Sequence, residues 1–348
     1  MTRLTLPHTL IDPPRDTLQR PLQDLRISVI DRCNFRCPYC MPEDRYAHDH
    51  VFLTKDERLR FEEIARIAGI FARLGVRKLR LTGGEPLLRR DLPELVRMLA
   101  GIELIEDIAL TTNGTLLPRF AQSLKDAGLH RLTVSLDTLD PETFRTLSGG
   151  RGEVDEVLAG IAAAEAAGFE RIKLNCVVMR GVNDGQVIDL VERFRGSGHI
   201  PRFIEYMDVG TVNGWREEAV VPSAELKARI QDRWPLRALD PNYRGEVAQR
   251  YAFEDGAGEI GFISSVSQPF CGDCTRGRLS ADGKLYTCLF ALTGHDIRHA
   301  LRDGASDEEL AQLISGYWRA RTDRYSERRA EIRSKGDPEK IEMFSIGG

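Results

Sequence analysis

Short apolar or β-branched runs alternate with longer stretches whose apolar residues recur every three or four positions. The short runs lie at 25–30 (LRISVI), 78–82 (KLRLT), 107–112 (DIALTT), 131–136 (RLTVSL), 171–178 (RIKLNCVV) and 202–207 (RFIEYM). Helix-like segments fill the gaps at 56–74, 91–100, 116–127, 141–148 with 153–167, and 184–196. Strand–helix repeats of this spacing predict parallel βα units, an α/β fold. Six units suit an open, partial TIM-like (β/α)6 barrel, and a doubly wound sheet has the same local signature. Either fold is expected to place its ligands at the C-terminal ends of the strands.

The pattern changes after about residue 210. Ser223 reads as a helix N-cap with Glu225 in the first turn, predicting a helix to about Trp234. Segments 247–253 and 259–265 read as short antiparallel strands, 270–290 as a cysteine-bearing loop and ribbon, and 294–333 as helical. The expected organisation is a Pro-rich tail over 1–24, which packs on the domain or stays mobile, a barrel over 25–215, and a C-terminal extension over 216–348.

Charge narrows the partners. With 49 Lys and Arg against 53 Asp and Glu, the net charge of −4 speaks against a broad nucleic-acid surface. An anionic ligand then needs a local cluster of Arg and Lys. No stretch approaches the ~18–20 apolar residues of a membrane span, and the N-terminus lacks the apolar core of a signal peptide. The expected compartment is the cytoplasm, where thiols stay reduced. Seven cysteines, an odd number in two groups, point to metal rather than disulfides.

The first group, Cys33, Cys37 and Cys40, forms a CxxxCxxC run just after the first strand. Three thiolates so close can converge on one centre only from a curled loop. A closed zinc site takes four ligands, whereas an iron–sulfur cube held by three cysteines keeps one iron open. The second group is Cys271 and Cys274 with Cys288, a CxxC-x13-C arrangement. Either an iron–sulfur cube or a zinc site completed by His295 fits it. Arg276 and Arg278, either side of Gly277, share a face if the stretch is extended, and paired guanidinium forks suit phosphate. Cys176, on the fifth predicted strand, reads as a core thiol. His48, His50, His199 and His295 read as surface residues.

CxxxCxxC with Tyr39 before its last cysteine, followed after the second strand by Gly83-Gly84-Glu85-Pro86, resembles the signature of the radical S-adenosylmethionine (SAM) enzymes. Adding CxxCxRxR-x9-C and the terminal Gly347-Gly348, the chain resembles the GTP 3′,8-cyclase family, molybdenum cofactor biosynthesis protein A, over nearly its whole length.

That resemblance implies two [4Fe–4S] clusters with three cysteine ligands each. One chelates SAM, the other meets the guanine of GTP. It implies SAM contacts at Tyr39, Gly84, Ser135 and Met207. It implies GTP contacts at Arg26, Arg80, Thr111, Lys173, Arg276, Gly277 and Arg278, with Thr111 open to either ligand, and a double glycine that reaches the active site. In such a reaction a 5′-deoxyadenosyl radical removes the 3′ hydrogen of GTP and the product is 3′,8-cyclo-7,8-dihydro-GTP, the first step toward molybdopterin. An electron donor is then required, and cyclic pyranopterin monophosphate synthase, the next pathway enzyme, receives the product. A homodimer is compatible with the resemblance. No P-loop GxxxxGK[ST] motif is present, so GTP would not be held in the P-loop manner. Two alternatives are a peptide-modifying radical enzyme with an auxiliary cluster and a non-enzymatic iron–sulfur sensor.

Overall fold

The computed structural model describes residues 12–46, 50–336 and 339–347. The six expected strands are β1 (Asp24–Ser28), β2 (Lys78–Thr82), β3 (Asp107–Thr112), β4 (Arg131–Ser135), β5 (Lys173–Val178) and β6 (Ile200–Glu205). The helices between them are α1 (Phe61–Arg73), α2 (Leu92–Ala100), α3 (Leu117–Asp126), α4 (Pro141–Ser148), α5 (Val154–Ala166) and α6 (Val187–Phe194). Alternation along each strand sorts the faces. Leu25, Ile27, Leu79 and Leu81 are buried beneath the helices, and α1 answers with Ile64, Ile67 and Phe71. Burying each such side chain contributes roughly 1.5–3 kcal/mol.

The C-terminal region adds α7 (Ser223–Gln231), β7 (Leu236–Leu239), β8 (Gln249–Phe253), β9 (Glu259–Ile263), β10 (Arg276–Leu279), β11 (Lys284–Tyr286) and β12 (His295–Asp296). Helices α8 (Arg298–Arg302), α9 (Asp307–Arg319), α10 (Tyr325–Ser334) and α11 (Met343–Ile346) follow. The sheet order is β12-β11-β10-β1-β2-β3-β4-β5-β6-β9-β8-β7. β9 pairs in parallel with β6, and β10 in parallel with β1. The expected six parallel strands therefore become eight, because the C-terminal region extends the same sheet at both ends. Strands β8 and β9 are antiparallel to each other, as the sequence suggested.

Two local expectations change. Ser223 is the first helical residue of α7 rather than its cap: Pro222 holds the cap position, and the Ser223 amide donates to Glu205. His199 is buried rather than superficial, with Nε2 2.8 Å from Glu165. The segment from residue 12 to β1 is packed. Arg20 and Asp16 form a buried ion pair at 2.5 Å, and Trp318 of α9 donates to the Arg20 carbonyl at 3.0 Å.

Candidate functional site

The inward faces of the strands form rows set by the register. Arg278, Arg26 and Arg80 stand side by side on β10, β1 and β2. Like charges in direct cross-strand contact repel. Burial lowers the pKa of Arg26 well below the usual guanidinium range, and Arg278, Arg276 and Arg80 push it the same way. Burial, then Arg276, brings Arg278 to about 10. Nε and Nη1 of Arg278 are buried and reach no partner among the described residues.

This row lines a cavity of about 170 Å3 whose wall carries nine cationic side chains against three carboxylates. Asp24, Lys78, Asp107, Arg131 and Lys173, all on that wall, are the first residues of their strands. The cavity therefore opens toward the N-terminal ends of the strands, opposite to the end expected. Burial, then Arg202, Arg131 and Arg80, bring the Lys173 ammonium down to about 7. Among the described residues no carboxylate forms a salt bridge with Arg26, Arg80, Lys173, Arg202, Arg276 or Arg278, whereas Arg131 is matched by Asp107. The excess positive charge calls for a polyanion.

Cys271, Cys274 and Cys288 line the same cavity. Their end of the barrel follows from topology: Cys274 precedes β10, which runs parallel to β1, and Cys288 follows the returning β11. Arg276 donates to Cys274 Sγ at 3.2 Å. Arg321 donates to the Cys274 carbonyl at 2.7 Å and Arg20 to the Cys271 carbonyl at 2.7 Å. Burial alone would raise the Cys274 thiol, but Arg276, Arg321 and Arg278 outweigh it and bring it to about 6. Cys288, dominated by burial with Asp323 adding to it, rises to about 12. His295 stacks on Tyr317 at 3.9 Å on the edge strand and does not line the cavity, so a zinc site completed by it loses its fourth ligand.

A second cavity, about 200 Å3, lies at the C-terminal ends of the strands and is lined by Cys33, Cys37 and Cys40. Its cysteine loop is clamped. Arg36 donates to the Cys33 and Phe35 carbonyls at 2.9 and 2.8 Å. The amides of Gly84 and Glu85 donate to the Ile30 and Arg32 carbonyls. A Cβ at Gly83 or Gly84 would collide with those same two carbonyls. The glycines thus let two loops of the chain meet, where close approach to a ligand was the sequence-level reason for them. Glu85 accepts from Thr112 Oγ1, the Asn113 amide and the Leu87 amide at 2.7–3.0 Å. Burial outweighs these bonds and lifts its carboxyl to about 7. The Tyr39 hydroxyl donates to Asp137 at 2.5 Å. Burial, with Glu85 next, raises Cys33 to about 12. The two thiol sites therefore differ in electrostatics as well as position.

The cavities share a wall made of Thr111, Asn175, Ile204 and Met207. Tyr39, Gly84 and Ser135 lie on the first-cysteine side. Arg26, Arg80, Lys173, Arg276 and Arg278 lie on the other, with Met207 and Thr111 facing both. Gly277 departs from the expected set: it packs against Leu22 and Leu25 and does not line the cavity. The tail enters between the sites. Met343 and Phe344 line the cavity of the first cysteines, and the Gly347 carbonyl lies 3.5 Å from Arg26 Nη1. Gly347 has φ +69° and a Cβ there would strike Thr82. Gly348 lies outside the described residues. Cys176 is buried in the main core.

Residues 27–194 match the Radical SAM superfamily and residues 200–327 match Molybdenum Cofactor Synthesis C. A GTP 3′,8-cyclase of Xanthomonas campestris pv. campestris (strain B100) is 60% identical over 343 residues, 99% of this chain and 100% of that protein. The chain belongs to the GTP 3′,8-cyclase family. Members from Acidothermus cellulolyticus and Staphylococcus carnosus are 56% and 48% identical, over 97% and 96% of this chain and 95% and 98% of theirs. The solved structure of Streptococcus suis SuiB bound to S-adenosylmethionine shares the fold at TM-score 0.59 and 16% identity, over 84% of this chain and 68% of that one.

Membership in the radical SAM superfamily implies a [4Fe–4S] cluster and SAM, and the first-cysteine cavity fits them. Three thiols on one clamped loop face a common space with Ser135 and the apolar Met207. Sequence reasoning missed Lys78, Arg131, Arg202, Tyr243 and Arg321 on the wall of the cationic cavity. The first had a signal, since Lys78 shares a strand face with Arg80 at a spacing of two. Tyr243 comes from the loop before β8 and places its ring 2.9 Å from Lys78 Nζ, which no local pattern announces.

Proposed function

We propose that this protein converts GTP to 3′,8-cyclo-7,8-dihydro-GTP, the first step of molybdenum cofactor biosynthesis. The observation that carries the reading is the in-register row Arg278–Arg26–Arg80, which no carboxylate among the described residues neutralises by a salt bridge and which lies between two three-cysteine sites. A peptide substrate would leave that row uncompensated, whereas a triphosphate of about three to four negative charges matches it.

The second site, Cys271, Cys274 and Cys288, would hold a further [4Fe–4S] cluster, whose open iron would be a place for the guanine to bind. When bound, the cluster at Cys33, Cys37 and Cys40 supplies the electron that turns SAM into a hydrogen-abstracting reagent. The chain's task is positioning. Arg26, Arg80, Lys173 and Arg276 fix the phosphates, so that one ribose C–H faces the shared wall. Thr111, Ile204, Met207 and the tail at Phe344 exclude water there.

The division into a radical part over 25–215 and an extension over 216–348 is one of roles, since β9 and β10 complete one sheet. An electron donor serves the first site, the next pathway enzyme takes the product, and the setting is the cytoplasm. Electron paramagnetic resonance of the reduced, reconstituted protein tests the two-site reading. Two cluster signals are expected, of which one changes on adding GTP. One signal, or no response to GTP, contradicts it.

A further inference from the structure

One loop lies across the mouth of the cationic cavity, at the N-terminal ends of the strands. It joins β7 to β8 over residues 240–248. Hairpin strands are usually joined by about two to five residues, so this connection is longer than the hairpin needs. Tyr243, Gly245 and Val247 line the cavity from it. Its far contacts are with the other end of the sheet. The Tyr243 ring sits 2.9 Å from Nζ of Lys78, the first residue of β2. Arg244 Nε donates to Asp273 at 2.8 Å, just before β10. In the sheet order β7 and β8 stand at one end, with β10, β1 and β2 toward the other. The loop therefore spans the mouth.

We infer that the β7–β8 loop is a gate through which the nucleotide enters and leaves the cationic cavity, closed by Tyr243 on Lys78 and by Arg244 on Asp273. This rests on the functional reading above, which makes the occupant a nucleoside triphosphate. The tip is braced within itself, as a flap that moves as one piece must be. Glu246 accepts from the Asn242 amide at 2.7 Å and from its carboxamide at 3.1 Å, and the Glu246 amide donates to the Tyr243 carbonyl at 3.2 Å. The flap seats closely: Gly245 has φ +86°, and a Cβ there would come within 2.6 Å of the Asp273 carbonyl. What holds it shut is weak. Arg244 and Asp273 are 58% and 60% exposed, and exposed ion pairs contribute little. A ring–ammonium contact is weaker than a charge-assisted bond to phosphate, so an arriving polyanion displaces Tyr243 from Lys78. At its other end the cavity runs into the shared wall and the first-cysteine site, where Phe344 of the tail also lies. The mouth under the loop leads directly to the phosphate-binding cations.

A gate and a binding contact differ in kinetics. Loosening a gate speeds entry and exit together, whereas losing a contact speeds exit alone. On the reconstituted protein, held anaerobically, release of radiolabelled GTP is followed by rapid filtration after a chase of unlabelled GTP. Equilibrium dialysis gives the affinity, and the two together give the association rate. With Tyr243→Ala and Arg244→Ala combined, both rates should rise roughly 3- to 30-fold, with affinity changed less than about threefold. SAM release should stay as in the native protein. Unchanged GTP rates overturn the inference, and so does faster release with a matching loss of affinity, which would make Tyr243 a plain ligand contact. A parallel change in SAM release overturns it as well. Failure of the native protein to bind GTP overturns the functional reading on which the inference rests. Arg244→Ala alone, a change at an exposed side chain, should show the same paired rise at about 1.5- to 5-fold, and decides the matter should the double variant not fold.

Discussion

Lys173 shows what burial among cations does to one side chain. Its ammonium, at about 7 in the folded protein, ordinarily titrates near 10.4. Below pH 7 it is charged in both folded and unfolded chains, and the cost of holding that charge is fully felt. Between about 7 and 10.4 the unfolded chain binds more protons, so this group makes stability rise with pH. A triphosphate reverses the preference by favouring the charged form. GTP affinity should therefore be flat below pH 7 and fall above it, by up to about tenfold per pH unit. Binding at pH 8 should take up a proton that Lys173→Met does not, read by calorimetry in two buffers of different ionisation heat. Identical proton uptake in both proteins would remove Lys173 from the phosphate site.

Arg80 is the cleaner probe of the cationic row, because Arg276 also donates to Cys274 Sγ and would disturb the cysteine site. Among the described residues, Arg80 hydrogen-bonds only the hydroxyls of Thr111 and Thr133. Arg80→Ala should weaken GTP binding about 10- to 100-fold, the worth of a charge-assisted bond, while leaving SAM affinity within about twofold. Parallel loss of both affinities would contradict the separation of the two cavities. Arg26, Arg80 and Lys173 were legible only through the family resemblance, which separates them from other strand-borne cations. Arg131 and Arg202 look like ordinary cations near strand starts until neighbouring strands bring them to one wall.

At the scale of elements, a buried carboxylate anchors the start of the C-terminal tail. Asp208, one residue beyond Met207, accepts from Tyr325 Oη at 2.5 Å, Arg329 Nε at 2.8 Å and Lys340 Nζ at 3.2 Å. Thr211 and Lys340 exchange further bonds, and Glu342 accepts from the Thr211 amide at 2.8 Å. The loop that carries Met207 and the tail that carries Gly347 are thereby one assembly. Removing one member of a buried ion cluster costs about 3–5 kcal/mol. Asp208→Ala should release the tail, so that trypsin cuts after Lys340 in the folded variant and spares it in the native protein. Equal cleavage rates would show that the tail is held elsewhere. The Gly-Gly terminus was visible in the sequence only through resemblance. The latch was not, because Asp208, Arg329 and Lys340 are far apart along the chain and read singly as surface charges.

For the whole molecule, the six βα units were legible because strand–helix alternation is local. The pairing of β9 with β6 and β10 with β1 was not, since it depends on contacts across the chain. That pairing decides function. With β10 beside β1, the second cysteine group comes to the N-terminal end of the barrel, opposite the first, and the inward faces between them become one path with a shared wall. Two cysteine sites at one rim would have left the arginine row facing no second site.

The central claim is that a nucleotide held in this path loses its 3′ hydrogen to SAM-derived chemistry at the other end. GTP deuterated at C3′, incubated anaerobically with the reconstituted protein, SAM and a reductant, tests it directly by mass spectrometry of the 5′-deoxyadenosine formed. Deuterium should appear in the 5′-deoxyadenosine, and its formation should depend on GTP. Unlabelled 5′-deoxyadenosine, formed at the same rate without GTP, would contradict the account.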